Sequence, residues 1–171
     1  QVVAGQNDID ANNNIRKVGT ESKESPKFSI DTGSLGGMYA GKISLISTDK
    51  GVGINNAGQV FSSAGSIKIS ADGQLQNSGS VVAQHKEDAK QATLDIQATD
   101  LKNSGSISSL GKQSIQTTNL NNTGLIATSA ELNIRNKASI QNQGEINAGR
   151  IDIETKDLKN SSGKIIQTGL Q

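Results

Sequence analysis

The chain contains no cysteine and no tryptophan, a single proline, histidine and methionine, and only 2% aromatic residues among its 171 positions. Without cysteine there is neither a disulfide scaffold nor a thiolate metal site, and the redox compartment stays open. One histidine leaves no His–His metal pair. The remaining nucleophile options, Ser–Lys or a lone Thr, do not stand out from the background of so serine-rich a chain. The scarcity of aromatics means that any core is thin and aliphatic. Charge of one sign is also missing: 17 basic and 16 acidic residues give a net +1 and are interspersed, so there is no electrostatic footprint for nucleic acid or an anionic membrane surface. No run approaches the roughly 18 apolar residues of a membrane-spanning helix. The opening QVVAGQNDID lacks an initiator Met and the charged-then-apolar layout of a signal peptide, which points to a piece of a longer protein.

What the chain has instead is a repeat. LQNSGSVV (75–82), LKNSGSIS (101–108), LNNTGLIA (120–127) and IQNQGEIN (140–147) are variants of one unit, and LKNSSGKI (158–165) carries one extra residue. The unit glycines are Gly58, Gly79, Gly105, Gly124, Gly144 and Gly163, spaced by 21, 26, 19, 20 and 19 residues. A period near 20 is the mark of a solenoid. Ile54, Leu75, Leu101, Leu120 and Ile140 stand four residues before their glycines, and Leu158 five before its own. Val60, Val81, Ile107, Ile126, Ile146 and Ile165 stand two residues after. The asparagines Asn56, Asn77, Asn103, Asn122, Asn142 and Asn160 form an equally regular column.

In extended backbone the Leu, Asn, Gly and Ile columns face one side, and the Lys, Ser, Gln and Glu between them face the other. A second alternating pair lies upstream in each unit: Ile43/Leu45, Ile67/Ile69, Leu94/Ile96, Leu132/Ile134 and Ile151/Ile153, with a lone Ile115 where Gln113 breaks the pattern. Units of this kind cannot bury their apolar side alone, but coils stacked at the ~4.8 Å strand spacing enclose a narrow aliphatic interior. The fold expected is all-β, a parallel β-helix with coils of about 20 residues. Asn-x-Gly is expected at the corner, with glycine supplying a positive φ and the asparagines forming a structural ladder from coil to coil. The competing reading is an antiparallel sandwich in which Asn-x-Gly marks hairpin turns; fixed columns over six units weigh against it.

Residues 42–169 resemble the degenerate repeat of the filamentous haemagglutinin family, the large exoproteins of bacterial two-partner secretion, which include adhesins and the stick-like proteins of contact-dependent growth inhibition. The stretch FSIDTGSLGGMYAGKISLISTDKGVGINNAG (28–58), with Leu35-Gly36-Gly37-Met38-Tyr39-Ala40 and Gly51-Val52-Gly53 at its centre, resembles the segment where that family's secretion domain passes into its repeat shaft. The resemblance implies a right-handed β-helical shaft on a bacterial surface. It divides the chain into the tail end of a secretion-type domain (1–41) and repeats (42–171). It implies two partners for the full-length protein, an outer-membrane two-partner secretion transporter and a receptor on a host or neighbouring bacterial cell. The family's better-known secretion motifs are not in this chain, so this piece alone is not expected to engage the transporter efficiently.

Two segments depart from the period. Residues 7–27 hold the single proline and no sustained alternation, and read as a long loop. The 26-residue spacing hides an insertion, AQHKEDAKQ (83–91), expected to project from the shaft. It reads either as a solvated loop or as a recognition loop made by His85, Lys86, Glu87, Asp88 and Lys90. Because β-helices also carry polysaccharide-processing enzymes, carboxylates matter: Asp95, Glu131, Asp152 and Glu154 fall at outward positions in different units and make no acid–base pair. Gly51-Val52-Gly53 lacks the third glycine and the helix of a dinucleotide site. Phe28, Tyr39 and Phe61 cluster near one end and offer no stacking platform for a glycan along the shaft. Asn121-Asn122-Thr123 and Asn160-Ser161-Ser162 are formal glycosylation sequons, Asn121 being the more accessible acceptor if Asn122 and Asn160 point inward. The sequence therefore points to a non-enzymatic shaft, with no catalytic residue, metal site or cofactor.

Overall fold

A computed structural model describes residues 1–5, 7–10, 12, 14–18 and 27–169. The strands wind into a β-solenoid of about seven turns, with about 20 residues in each. Successive turns pair in parallel: Ile43–Ser47 lies on Ile67–Asn77, which lies on Leu94–Asn103, then Gln113–Asn122, then Leu125–Asn142. On the other side of the corner Gly37–Ala40, Gln59–Ser62, Ser80–Ala83 and Ser106–Ser109 stack in the same order. Among the described strands the one antiparallel ladder joins Asn7–Ile9 to Ile15–Val18. The sandwich reading is therefore excluded, since its ladders would be antiparallel throughout. The antiparallel pair also corrects the expectation of a continuous loop over 7–27. A hairpin of three to four residues a side is too short for alternation to reveal, and residues 19–26 lie outside the described part.

Register makes the columns physical. Ile54, Leu75, Leu101, Leu120 and Ile140 are mutual partners in neighbouring coils, each no more than 1% exposed. Val60, Val81, Ile107, Ile126 and Ile146 form a second, fully buried stack. A coil lacks the residues to close a core by itself, so each obtains its hydrophobic burial from the coils above and below. The stack starts one coil before the sequence repeat: Ile30 pairs with Ile54, Thr32 with Asn56 and Met38 with Val60.

The asparagine side chains run along the inside of the corner. Asn56 Nδ2 donates to Asn77 Oδ1 at 2.7 Å, Asn77 to Asn103 at 2.7 Å, Asn103 to Asn122 at 2.8 Å, Asn122 to Asn142 at 2.8 Å and Asn142 to Asn160 at 2.7 Å. All five amides point the same way. Each of these donors also reaches a strand carbonyl of the next coil, as Asn103 Nδ2 does to Leu125 O at 3.0 Å. The Thr32 hydroxyl donates to Asn56 Oδ1 at 2.6 Å and ends the row. A second polar row sits at the opposite bend, where Asn136 Nδ2 donates to Thr117 Oγ1 and Thr155 Oγ1 donates to Asn136 Oδ1.

The column glycines serve a purpose other than the one read from the sequence. None of Gly58, Gly79, Gly105, Gly124, Gly144 and Gly163 has a positive φ. A Cβ on Gly79 would lie 2.0 Å from Gly58 O, and one on Gly105 2.0 Å from Gly79 O. The same carbonyls accept the next coil's hydrogen bonds, as Gly79 O does from Ser106 N at 2.9 Å. Glycine is needed because two backbones meet there, and a backbone oxygen has nowhere to retreat.

Five substitutions test this account in denaturant melts. Leu120→Ala destabilises by roughly 2 to 5 kcal/mol, and Asn122→Ala by ~1 to 3 kcal/mol because its neighbours lose partners in a dry interior. The exposed Lys102→Ala changes stability by no more than about 0.5 kcal/mol. Gly105→Ala costs about 1 to 3 kcal/mol or more, whereas Gly33→Ala, with nothing within 4 Å of the added carbon, is neutral or slightly stabilising. Equal effects at Gly105 and Gly33 would contradict the close-approach account.

Candidate functional site

Within the haemagglutinin-type repeats, the insertion takes the chain out of the column pattern for the longest stretch among the described residues. Its first residue in the sequence reading, Ala83, is instead a fully buried member of strand Ser80–Ala83, paired with Ser62 and Ser109. The excursion proper starts at Gln84, and Ala92 is again fully buried. In between, the chain is tied down. His85 bridges Ala64, and Gly65 N donates to Gln84 O at 3.2 Å. His85 Nδ1 accepts from Asp88 N at 3.0 Å and Glu87 N at 3.3 Å. Asp88 caps the short 3-10 helix Ala89–Gln91 by accepting from Lys90 N at 2.9 Å. This backbone bond, helped by Gln91, holds the Asp88 carboxyl below the usual carboxylate range. Below the helix, Gly111 has room for no side chain, since a Cβ there would come 2.4 Å from Ala89 O.

His85, Lys86, Glu87, Asp88 and Lys90 are thus brought together in one compact brace lying on the corner. His85 and Asp88 are half-buried and occupied with the loop's own backbone, which leaves Lys86, Glu87 and Lys90 as the side chains a partner would meet. The expectation of a projecting loop is replaced by a surface-hugging one. The sequence could not reveal this, because the contacts are made by backbone groups and by Ala64, Gly65 and Gly111, which look like ordinary turn residues.

The outward carboxylates do not converge on a groove. Asp152 and Glu154 share Arg135, at 2.7 and 3.4 Å, and Glu131 lies 3.3 Å from Lys112. The Arg135 hydrogen bond holds the Asp152 carboxyl below its ordinary range. Two open grooves follow the corners across several coils. One is lined by residues such as Val82, Ser108, Leu110 and Ala127, the other by Asp72, Gln97, Gln116, Lys137 and Glu154. In the second, Glu154 lies against Arg135 rather than against another carboxylate. Among the described residues no three His, Asp or Glu side chains come close enough to hold a metal, and no helix is long and apolar enough to cross a membrane. Tyr39 and Phe61 meet at a 45° tilt, ring centres 6.2 Å apart, on the outer face of the first coils, with Phe28 elsewhere beneath Lys27. Asn121 is exposed, whereas the Asn160 amide is engaged with Asn142 and Gly163. From Asn56 to Asn142 the asparagine ladder is interior and out of a partner's reach, whereas its last rung, Asn160, is exposed.

Comparison with known proteins agrees with this architecture. The haemagglutinin repeat profile matches residues 62–117 and 91–170, together more than half of the chain, and the TPS secretion domain profile matches residues 1–77. Curated relatives include Toxin CdiA of Yersinia pestis, 46% identical over 81 residues, or 47% of this chain. The tRNA nuclease CdiA-2 of Burkholderia pseudomallei (strain 1026b) is 40% identical over 78 residues, or 46%. The 16S rRNA endonuclease CdiA of Enterobacter cloacae is 40% identical over 75 residues, or 44%. In each case the match covers 2% of the relative's own length. No solved structure matches significantly. A TPS secretion domain match that runs on into haemagglutinin repeats within one β-solenoid identifies the chain as a member of the filamentous haemagglutinin-like exoproteins of two-partner secretion, the group to which CdiA belongs.

Proposed function

We propose that these coils are a non-catalytic shaft segment which holds distal adhesive or toxic regions of a long exoprotein away from the producing cell. The observation that carries the reading is the continuous column of parallel register partners, Ile30, Ile54, Leu75, Leu101, Leu120, Ile140 and Leu158, with the asparagine column beside it. Each coil adds a strand spacing of ~4.8 Å. Length is therefore set by coil number, and stiffness by the continuous interior. The outward faces, a mixture of Lys, Ser, Gln and Asp, need only be soluble. The RNA-cleaving activities named for two of the relatives belong, on this reading, to parts of those proteins outside the matched 2%.

The full-length protein would meet an outer-membrane two-partner secretion transporter during export and a receptor on a neighbouring bacterial or host cell afterwards. It would be displayed on the outer surface of the producing bacterium. A second reading, direct recognition by Lys86, Glu87 and Lys90 on the corner brace, is favoured by the order of that loop. A polysaccharide-processing enzyme is disfavoured by the paired and separated carboxylates.

Residues 1–171 are expected to bind cells or extracellular-matrix proteins weakly at most. Replacing 85–90 with a short Gly-Ser loop should leave circular dichroism unchanged and lower the melting temperature by only a few degrees, since a surface brace is lost and no column residue is touched. Adding or removing whole coils from the parent protein should alter its reach while its activity persists. Tight, saturable binding by this chain that disappears with the loop replacement would overturn the spacer reading in favour of direct recognition.

A further inference from the structure

Gln113 occupies a place in the interior that every neighbour fills with a hydrocarbon. Its register partners are Leu94 in the preceding coil and Leu132 in the next, and the column continues to Ile67, Ile43 and Ile151. Its exposure is 0%, and neither its amide oxygen nor its amide nitrogen has a hydrogen-bond partner. A buried, unbonded carboxamide lacks the solvation it has in the unfolded chain, so this rung gains less from closing than any rung with leucine or isoleucine.

The same contact between coils is irregular at its corner. Between Ala83↔Ser109 and Leu94↔Gln113 the insertion interrupts the parallel ladder. The gap is crossed by Leu110 N to Ala83 O at 3.2 Å, Gly111 N to Ala92 O at 3.0 Å and Leu94 N to Lys112 O at 3.0 Å. At the other end of the same strands nothing is weakened: Leu101 still lies on Leu120, and Asn103 still donates to Asn122 at 2.8 Å.

We infer that the contact between Leu94–Gln97 and Gln113–Gln116 is a joint in the shaft, the first inter-coil seam to open, hinged on the Leu101/Leu120 and Asn103/Asn122 contacts that stay closed. The opening is sub-global, because rungs on either side retain their full columns. A solenoid is held together coil by coil, so a locally weak interface is not averaged away as it would be in a globular core. A shaft with such a joint bends there under load before its coils unravel.

Native-state hydrogen exchange on residues 1–171 tests this without any substitution. The amides of 94–97 and 113–116 are expected to exchange at least about tenfold faster than those of 120–122 and 140–142. Gln113→Leu is then expected to slow the joint amides by about tenfold or more and to raise the melting temperature by roughly 2 to 8 °C. The control Gln116→Leu, at an exposed position on the same strand, should do neither. Uniform protection across the two groups of amides would overturn the inference. So would a Gln113→Leu protein with unchanged or faster joint exchange, since that would mean the amide supports the seam. A Gln113→Leu protein that cannot be purified leaves the wild-type exchange pattern as the deciding measurement.

Discussion

The distance between one coil's backbone and the next at the Asn-x-Gly corner governs the rest of the structure. There the coils approach so closely that a single added carbon on Gly79, Gly105, Gly124 or Gly144 would sit 2.0 to 2.1 Å from a carbonyl oxygen. That approach lets the asparagine one turn earlier reach its neighbour's amide at 2.7 to 2.8 Å and a strand carbonyl as well. It also aligns the leucines four residues before the glycine with those above and below. Glycine, asparagine and leucine columns are thus one device: the missing side chain sets the spacing, the amide fixes the register, and the aliphatic group supplies the burial. A one-residue slip would turn the aliphatic column outward and unpair every amide, so register is specified twice over.

Much of this was legible because a solenoid gives equivalent residues equivalent surroundings. The columns at Leu120, Asn122, Gly124 and Ile126 recur with little change of residue type, and period-2 alternation assigned their faces. What the sequence hid is where the same place is filled by different chemistry. Ile30, Thr32 and Met38 form a rung, but Thr replaces Asn, and the extra residues of the Gly33–Gly36 turn disturb the spacing. Thr117, Asn136 and Thr155 make a polar row from mixed residues scattered in a polar background. The role of glycine was misread because a φ requirement and a close approach leave the same residue in the sequence; only the neighbouring carbonyl separates them.

The insertion carries a related lesson. Its charges suggested a projecting loop, yet charge reports solubility rather than distance from the scaffold. Asp88 closes a helical turn, and His85 accepts two backbone hydrogen bonds, so both are consumed in shaping the brace. The candidate recognition surface therefore shrinks to three side chains on a fixed backbone. A rigid display of so few charged groups contributes little binding energy on its own, because exposed ion pairs gain little over water.

A shaft has to meet two demands that pull apart. It must be stiff enough to project, which favours a continuous interior, and it must be assembled from many near-identical coils, which invites slippage and unwanted pairing. Polar groups inside the interior resolve the second demand when every one of them is bonded, as the buried ladder from Asn56 to Asn142 is, since a misplaced coil leaves amides unpaired in a dry core. Gln113 is the counterexample within the same molecule: a buried amide with no row to join adds no register and subtracts stability. The two cases differ only in whether the neighbouring coils offer a partner at that column. Whether an interior polar residue stiffens or weakens a solenoid is therefore decided by its column and not by its residue type.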